Sequence, residues 1–421
     1  MTKKKDTIIT DSEEQTPIKE VEEQVAPVET ITEESYVLSE TVAMEQETGI
    51  KKFFSKIKRW FSNKVNNARE KGHQFSLLPA REKGRKIGDW TLKNAIYIIF
   101  FVLVVWTEIY SLTHLTNHFL NISSIINILQ QSAASMFLAL GVGGIIVLTG
   151  TDLSAGKILG LSMLLTASLL QNSDFASKMF PNMDTWPIFL VVILVMVVGG
   201  FLGAVNGFFV AKFKIHPFIV TLATQLMIYG VMLIYVNLGN NAGQPIAGLD
   251  ENYRHIASGN LMIGDIAIPY YVFYAIIAIV LCWFLWNKTS FGKNMYAVGA
   301  NEEAAKVSGV NVIKTIISVF MFAGILYGFS GFIDAARVGS NSAGSGNGAE
   351  LDAIAACVIG GVSFSGGTGK ISGIVVGVVL LKVITIALQW LGADTNLQYI
   401  IKGAIILGAV AIDMKKYLVK K

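Results

Sequence analysis

Nine ionisable side chains stand inside or beside strongly apolar stretches of this 421-residue chain: Glu108, Asp152, Lys157, Asp334, Glu350, Asp352, Lys382, Lys402 and Asp413. A charge among apolar residues is costly unless it is paired, hydrated or used, so each is a candidate for work on a solute or ion. Most lie near the ends of their stretches, where water or a snorkelling side chain relieves the cost. Lys382 and Lys402 fall mid-stretch, with no carboxylate one helical turn away. Two roles stand open for Asp152, which follows Gly150 and Thr151: capping an irregular backbone, or lining a solute path. Asn206, Thr221, Thr224 and Gln225, with Phe218 among them, add amides and hydroxyls that can exchange hydrogen bonds with a neutral, hydroxyl-rich solute. The same groups also serve as helix-to-helix glue. The candidate path is therefore Asp152, Asn206, Phe218, Thr221, Gln225, Glu350 and Asp352.

Other chemistries are missing from the sequence. A phosphate-cradling loop needs Gly-x4-Gly-Lys-Ser/Thr, and the nearest approach, Gly369-Lys370, is followed by Ile371 and has no glycine at the required upstream position. No nucleophile, base and acid form a set. His114 and His118 have helical i, i+4 spacing but no acidic or cysteine neighbour in sequence, so no metal site is expected. Cys282 and Cys357 lie in apolar runs and read as small packing residues. The chain is expected to be no enzyme and to hold no cofactor; uphill movement of a solute would draw on a partner or an ion gradient.

These residues must be positioned by membrane spans. The chain is 52% hydrophobic and only 15% charged, with a mean hydropathy of +0.53, where a soluble domain carries about 25% charge. About ten apolar runs approach the ~20 residues that cross a bilayer, at 92–112, 125–149, 157–170, 188–211, 218–238, 269–286, 313–336, 351–365, 371–391 and 399–412. The fold class is thus all-α and polytopic. Lys and Arg crowd the connections that face one side, including Lys212, Lys214, Lys288, Lys293, Lys306, Lys314 and the final lysines, which places both termini in the cytoplasm. Residues 1–50 hold 13 acids against four bases and few aromatics, a composition expected to be disordered. Residues 51–90 reverse the balance, with 12 bases against three acids. Phe53, Phe54, Ile57, Trp60 and Phe61 recur there at helical spacing, as in a basic amphipathic helix lying on an anionic leaflet and followed by a linker. The same helix could instead pack on another part of the protein. Residues 91–421 form the transmembrane domain. The pattern of a cleaved signal peptide is not seen at the start.

Between two of the runs lies a mixed-charge island, residues 286–310. Its centre, Glu302 to Gly309, is rich in strong helix formers, carries two acids where a helix dipole favours them, and ends in a glycine suited to a left-handed cap. A short polar helix on the cytoplasmic side is a handle for a soluble partner. Two other segments, 150–160 and 360–373, are glycine-rich, and each contains Gly-Lys-Ile-x-Gly, beginning at Gly156 and Gly369. They are expected to be broken or re-entrant, facing a cavity rather than lipid, and to mark a weak parallel internal repeat.

These segments carry a resemblance. Residues 149–156, 217–222, 291–294 with 301–312, 350–367 and 398–403 resemble the membrane permease subunits of bacterial ABC importers for ribose, galactosides and related sugars, most of all the permeases for galactose and methyl galactoside. The likeness implies a homodimer in the bacterial inner membrane. It also implies a cytoplasmic ATPase with duplicated nucleotide-binding modules, which would bind the ATP and Mg, and an extracytoplasmic sugar-binding protein. No nucleic acid is implied. In such importers a cytoplasmic loop with Glu-Ala-Ala and, after three more residues, Gly docks on the ATPase; here Asn301, Glu302, Glu303, Ala304, Ala305 and Gly309 fit that description. The first 90 residues and Lys382 depart from the pattern. Ribose, other pentoses and nucleosides remain open as solutes, as do an ion-coupled transporter and a membrane scaffold.

Overall fold

A computed structural model describes residues 95–115, 117–264 and 266–418, together with positions 55, 79, 82 and 84. The chain divides into two units, 1–86 and 87–421. The acidic tail, the basic amphipathic helix and most of the linker lie outside the described residues.

The second unit is helical, as the apolar runs require. In order it contains α1 (Ala95–His114), α2 (Ile122–Val147), α3 (Ala155–Leu169), α4 (Ile188–Phe213), α5 (Pro217–Tyr235), α6 (Glu251–Ser258), a hairpin of β1 (Asn260–Ile263) and β2 (Ile266–Pro269), α7 (Tyr270–Lys288), α8 (Ser290–Ala300), α9 (Glu302–Val307), α10 (Val312–Val338), α11 (Ala349–Ile359), α12 (Ile371–Trp390) and α13 (Thr395–Leu418). Six of these, α2, α4, α5, α7, α10 and α12, are long and apolar enough to cross a membrane; α1 and α3 contain shorter apolar helices. The protein is therefore an integral membrane protein, with six such spans rather than ten by length and composition among the described residues. The shortfall has a physical reason at α3 and α11. With 15 and 11 residues they rise only about 22 and 16 Å, because glycine-rich backbone interrupts the apolar runs around them.

The hairpin is absent from the sequence reading. Its two strands pair antiparallel, Asn260 with Pro269 and Ile263 with Ile266, around a turn with Gly264 at φ +61°. Four-residue strands are too short to print a period-2 pattern.

The bundle is built around α10, which packs on α4, α3 and α2. In lipid there is little hydrophobic drive between helices, so close contact depends on small residues. Gly199 and Gly203 of α4 lie directly against the backbone of Gly324 and Phe320 of α10, with no room for a β-carbon. The C-terminal half of α2 supplies the rest of the core through Phe137, Leu140, Ile145 and Ile146, all fully buried. Burial is uneven: 67% of the apolar windows of α10 and α12 is covered, against 28% in α4 and α5. The open faces of α4 and α5 are left for lipid or another chain.

One end of the bundle gathers the parts of interest. The ends of α2 and α4, the helices α8 and α9, and the start of α12 meet there. Gly367 N–H donates to Val147 O at 2.9 Å, the Tyr296 hydroxyl donates to Gly369 O at 2.9 Å, and Lys214 Nζ lies 4.0 Å from Glu302 Oε1.

Candidate functional site

The island between α7 and α10 folds as two helices, not one. The first, α8, was not singled out in the sequence, where its glycines and polar residues read as part of the connection. The second, α9, begins and ends where the sequence said. Asn301 Oδ1 accepts from Ala304 N–H at 2.9 Å and caps its start. At its end Val310 N–H donates to Ala305 O and Gly309 N–H to Lys306 O, both at 3.0 Å, with Gly309 at φ +84°. These two bonds form the Schellman closure for which glycine is suited. Only Ala305 is buried; Glu302, Glu303, Ala304 and Lys306 are exposed, and Val307 is 88% exposed. Beside α9, Asn311 Oδ1 caps α10 by accepting from Lys314 N–H at 2.9 Å. A polar groove of about 260 Å³ runs between α8 and α10, lined by Ser290, Asn294, Asn311 and Lys314.

The irregular segment after α2 is held by a buried network. Asp152 Oδ1 accepts from both the backbone N–H (2.9 Å) and the hydroxyl (2.6 Å) of Ser154. The Ser154 oxygen accepts from Asn206 Nδ2 of α4 at 2.9 Å, and Asn206 Oδ1 accepts from the Thr224 hydroxyl of α5 at 2.6 Å. Thr221 completes the set: its oxygen accepts from Leu153 N–H, and its hydroxyl donates to Thr151 O, each at 3.1 Å. Non-helical backbone at membrane depth is tolerated only where protein or water satisfies it, and Thr221 does so for two groups at once. Asp152, Ser154, Asn206, Thr221 and Thr224 are all buried. The sequence singled out four of the five. It missed Ser154, whose signal was the Asp-x-Ser spacing of an Asx-type turn. It also missed Tyr327 of α10, buried beside Asp152 and indistinguishable in sequence from a packing aromatic.

The other candidates fall elsewhere. Phe218 is exposed at the first turn of α5 and Gln225 is half-buried on the same helix. Glu350 is buried in the first turn of α11, packed on Gly156 at the start of α3. Lys157, next along, donates to Ala343 O at 3.2 Å and stands 4.2 Å from the centre of the Tyr229 ring. Both Gly-Lys-Ile-x-Gly copies sit at helix starts, in α3 and α12.

Two expectations about partners are corrected. Lys382 and Lys402 do have a carboxylate: Asp352 lies 3.5 Å from Lys382 Nζ and 3.1 Å from Lys402 Nζ. The search along one helix missed it because the pairing runs between α11, α12 and α13. Likewise His118 Nδ1 lies 3.4 Å from Glu108 Oε1, a contact across the turn between α1 and α2. Among the described residues no group of three His, Cys, Asp or Glu side chains could hold a metal.

Residues 124–410 match the family described as the permease component of branched-chain amino acid transport systems. The chain is 44% identical over 332 residues to the galactose/methyl galactoside import permease protein MglC of Salmonella typhimurium, covering 79% of this chain and 97% of that one. Its identity to the protein of the same name in Haemophilus influenzae is also 44%, over 82% of this chain and 100% of that one. The ribose import permease protein RbsC of Bacillus subtilis is 36% identical over 75% of this chain and 91% of its own. No solved structure matches. A helical bundle with broken segments, an exposed capped helix at one end, and likeness over 79% of this chain to an import permease place it in the family of transport-system permease components.

Proposed function

We propose that the chain is the membrane-spanning subunit of an ATP-driven importer for a neutral sugar, with galactose or a methyl galactoside preferred. The observation that carries this is the 44% identity extending over 97% of a galactose/methyl galactoside permease. Ribose is the second reading, supported by the 36% identity to a ribose permease. Two copies would sit side by side in the bacterial inner membrane, each with about ten spans counting α1, α3, α11 and α13, and with both termini in the cytoplasm. A partner ATPase with duplicated nucleotide-binding modules would bind ATP and Mg and dock on α9 through Glu302, Glu303, Val307 and the exposed backbone at Gly309. A soluble binding protein would deliver the sugar from outside.

Burial sorts the path candidates. Phe218, Gln225 and Asp352 keep exposed surface and would face the solute. Asp152, Asn206, Thr221 and Glu350 are buried and would act from behind, holding the broken segments in shape. Closure of the ATPase would push α9, and the Asn311 cap would pass that push into α10 and so to Tyr327 and the segment around Asp152. The test is sugar uptake into vesicles holding the permease and binding protein, with and without the ATPase. Uptake that needs the ATPase and ATP is expected; uptake driven by a proton gradient alone would refute the reading in favour of an ion-coupled transporter.

A further inference from the structure

Two cavities lie along α10, one polar and one apolar. The polar one is the groove of about 260 Å³ between α8 and α10. Ser290, Asn294, Asn311, Lys314 and Ser318 line it; each can donate a hydrogen bond, and no carboxylate joins them. The Asn311 oxygen is committed to the α10 cap, which leaves its amide N–H groups to offer. Among the described residues no acid pairs with Lys314, or with Lys293, the exposed neighbour of Asn294. A donor-rich groove with an uncompensated ammonium suits a phosphate. Its level is the membrane edge, where α7 ends at Lys288 and α10 begins at Val312, both of them spans by length and composition. Trp283, 48% exposed and with Lys288 Nζ 5.7 Å from its ring centre, belongs to the aromatic and basic belt of a headgroup region. The second cavity, about 520 Å³, lies between α4 and α10 and has no polar side chain in its lining. Ile193, Val197, Phe201 and Ala204 of α4 face Met321 and Ile325 of α10 across it. Asn311, Lys314, Ser318, Met321 and Ile325 follow one another at steps of three and four, so a single stripe of α10 carries both cavities. Met321 lies about 10 Å and Ile325 about 16 Å beyond Lys314 along the helix. Gly203 packs on Phe320 and Gly207 on Ile317, so α4 runs antiparallel beside them and Ala204 marks the end of the apolar groove nearer Lys314.

We propose that this stripe is a binding site for one anionic phospholipid, taken from the cytoplasmic leaflet in the orientation given above. The phosphate takes Lys314 and the amides of Asn294 and Asn311, and an acyl chain enters the apolar groove that begins one turn deeper. Basic pockets between spans on the cytoplasmic side are suited to anionic headgroups. A lipid seated there ties α8 and α4 to α10. The site goes beyond the importer reading and does not depend on it.

The test uses the purified full chain in detergent micelles, with bound lipid counted by native mass spectrometry. Dioleoyl phosphatidylglycerol carries the anionic phosphodiester and both chains. Dioleoyl phosphatidylcholine has the same parts without net charge, dioleoylglycerol the chains alone, and inorganic phosphate the anion alone. Phosphatidylglycerol is expected to bind about fivefold more tightly than phosphatidylcholine, the ~1 kcal/mol that one lysine gains at an anionic leaflet, and more tightly than either part alone. The preference should shrink as salt rises. Lys314→Met, at an exposed position, should remove it while leaving phosphatidylcholine binding within about twofold. Ala204→Phe fills the apolar groove and should weaken both lipids about threefold or more. If that variant fails to elute as a monodisperse protein, Ala204→Leu replaces it, with a loss of about twofold expected. Equal binding of the two lipids, or a preference that survives Lys314→Met, overturns the proposal. So does unchanged lipid binding in the filled groove, which would leave that groove to a second copy of the chain. Displacement of phosphatidylglycerol by inorganic phosphate at equal concentration would make the polar groove a site for a free anion, and also refutes. Copurification with the ATPase is read on the same variants: a complex lost in Lys314→Met with lipid binding intact assigns the groove to that partner instead. Because binding is measured without ATPase or sugar, a failure of ATP-driven uptake would sink the importer reading and leave the lipid site standing.

Discussion

Thr221 offers a sharp perturbation because one oxygen satisfies two backbone groups of a segment that has no helix to satisfy them. Thr221→Val keeps the side-chain shape and removes only the hydroxyl. Leu153 N–H and Thr151 O, each now 3.1 Å from that oxygen, lose their partner in a site where Thr221 is fully buried. A net hydrogen bond is worth about 1 kcal/mol, and an orphaned buried group costs about 1–3 kcal/mol. Two groups therefore give roughly 2–6 kcal/mol. Thr221→Ser restores the hydroxyl and loses only a methyl group, which should cost about 1 kcal/mol. Reversible unfolding in mixed detergent micelles reads the difference, and uptake at matched expression reads the function. The serine variant should recover most of both. A valine variant within 0.5 kcal/mol of wild type, with normal uptake, would show that water reaches the segment and that Thr221 does not clamp it.

Three further outcomes are expected. Gly309→Val should cost about 1–2 kcal/mol, all of it conformational, because φ is +84° and nothing lies within 4 Å of an added β-carbon. Gly309→Pro also removes the N–H that closes α9, and should leave ATP hydrolysis running while uptake falls, as measured together in vesicles. Gly324→Val, by contrast, drives a side chain into the backbone of Gly199 and Gly203. It should destabilise the α4–α10 pair by 1–3 kcal/mol or more, visible as lowered thermal stability in detergent; an unchanged melting curve would mean the helices are not in that contact.

What could be read without coordinates followed from local rules. The α9 helix was legible because its acidic first turn, its strong helix formers and its closing glycine all fall between Glu302 and Gly309. The long spans were legible because hydropathy needs no partner. Asp152, Asn206, Thr221 and Thr224 could be picked out as polar residues in apolar company, but not joined, since 68 residues separate Leu153 from Thr221. The lysines show the same limit more plainly. Looking one turn along its own helix leaves Lys402 without a carboxylate, and the one it uses is 50 residues away on α11. Only six of the ten apolar runs become helices long and apolar enough to cross by themselves, for a related reason: hydropathy sees an apolar run and not the glycines that interrupt it around α3 and α11.

The sparsely covered helix α4 has one more consequence. It runs from Ile188 to Ala211 without a charge, 24 residues or about 36 Å. That exceeds the ~30 Å hydrocarbon core, while α5 beside it and α7 elsewhere in the bundle, at 19 residues each, rise about 28 Å. Helices of unequal apolar length in one bundle cannot all match one bilayer, so α4 must tilt or draw thicker lipid around it. Its glycine contacts tie that adjustment to α10. Acyl-chain length thereby enters the mechanics of the α4–α10 pair, because any tilt of α4 is carried through its glycine contacts into α10.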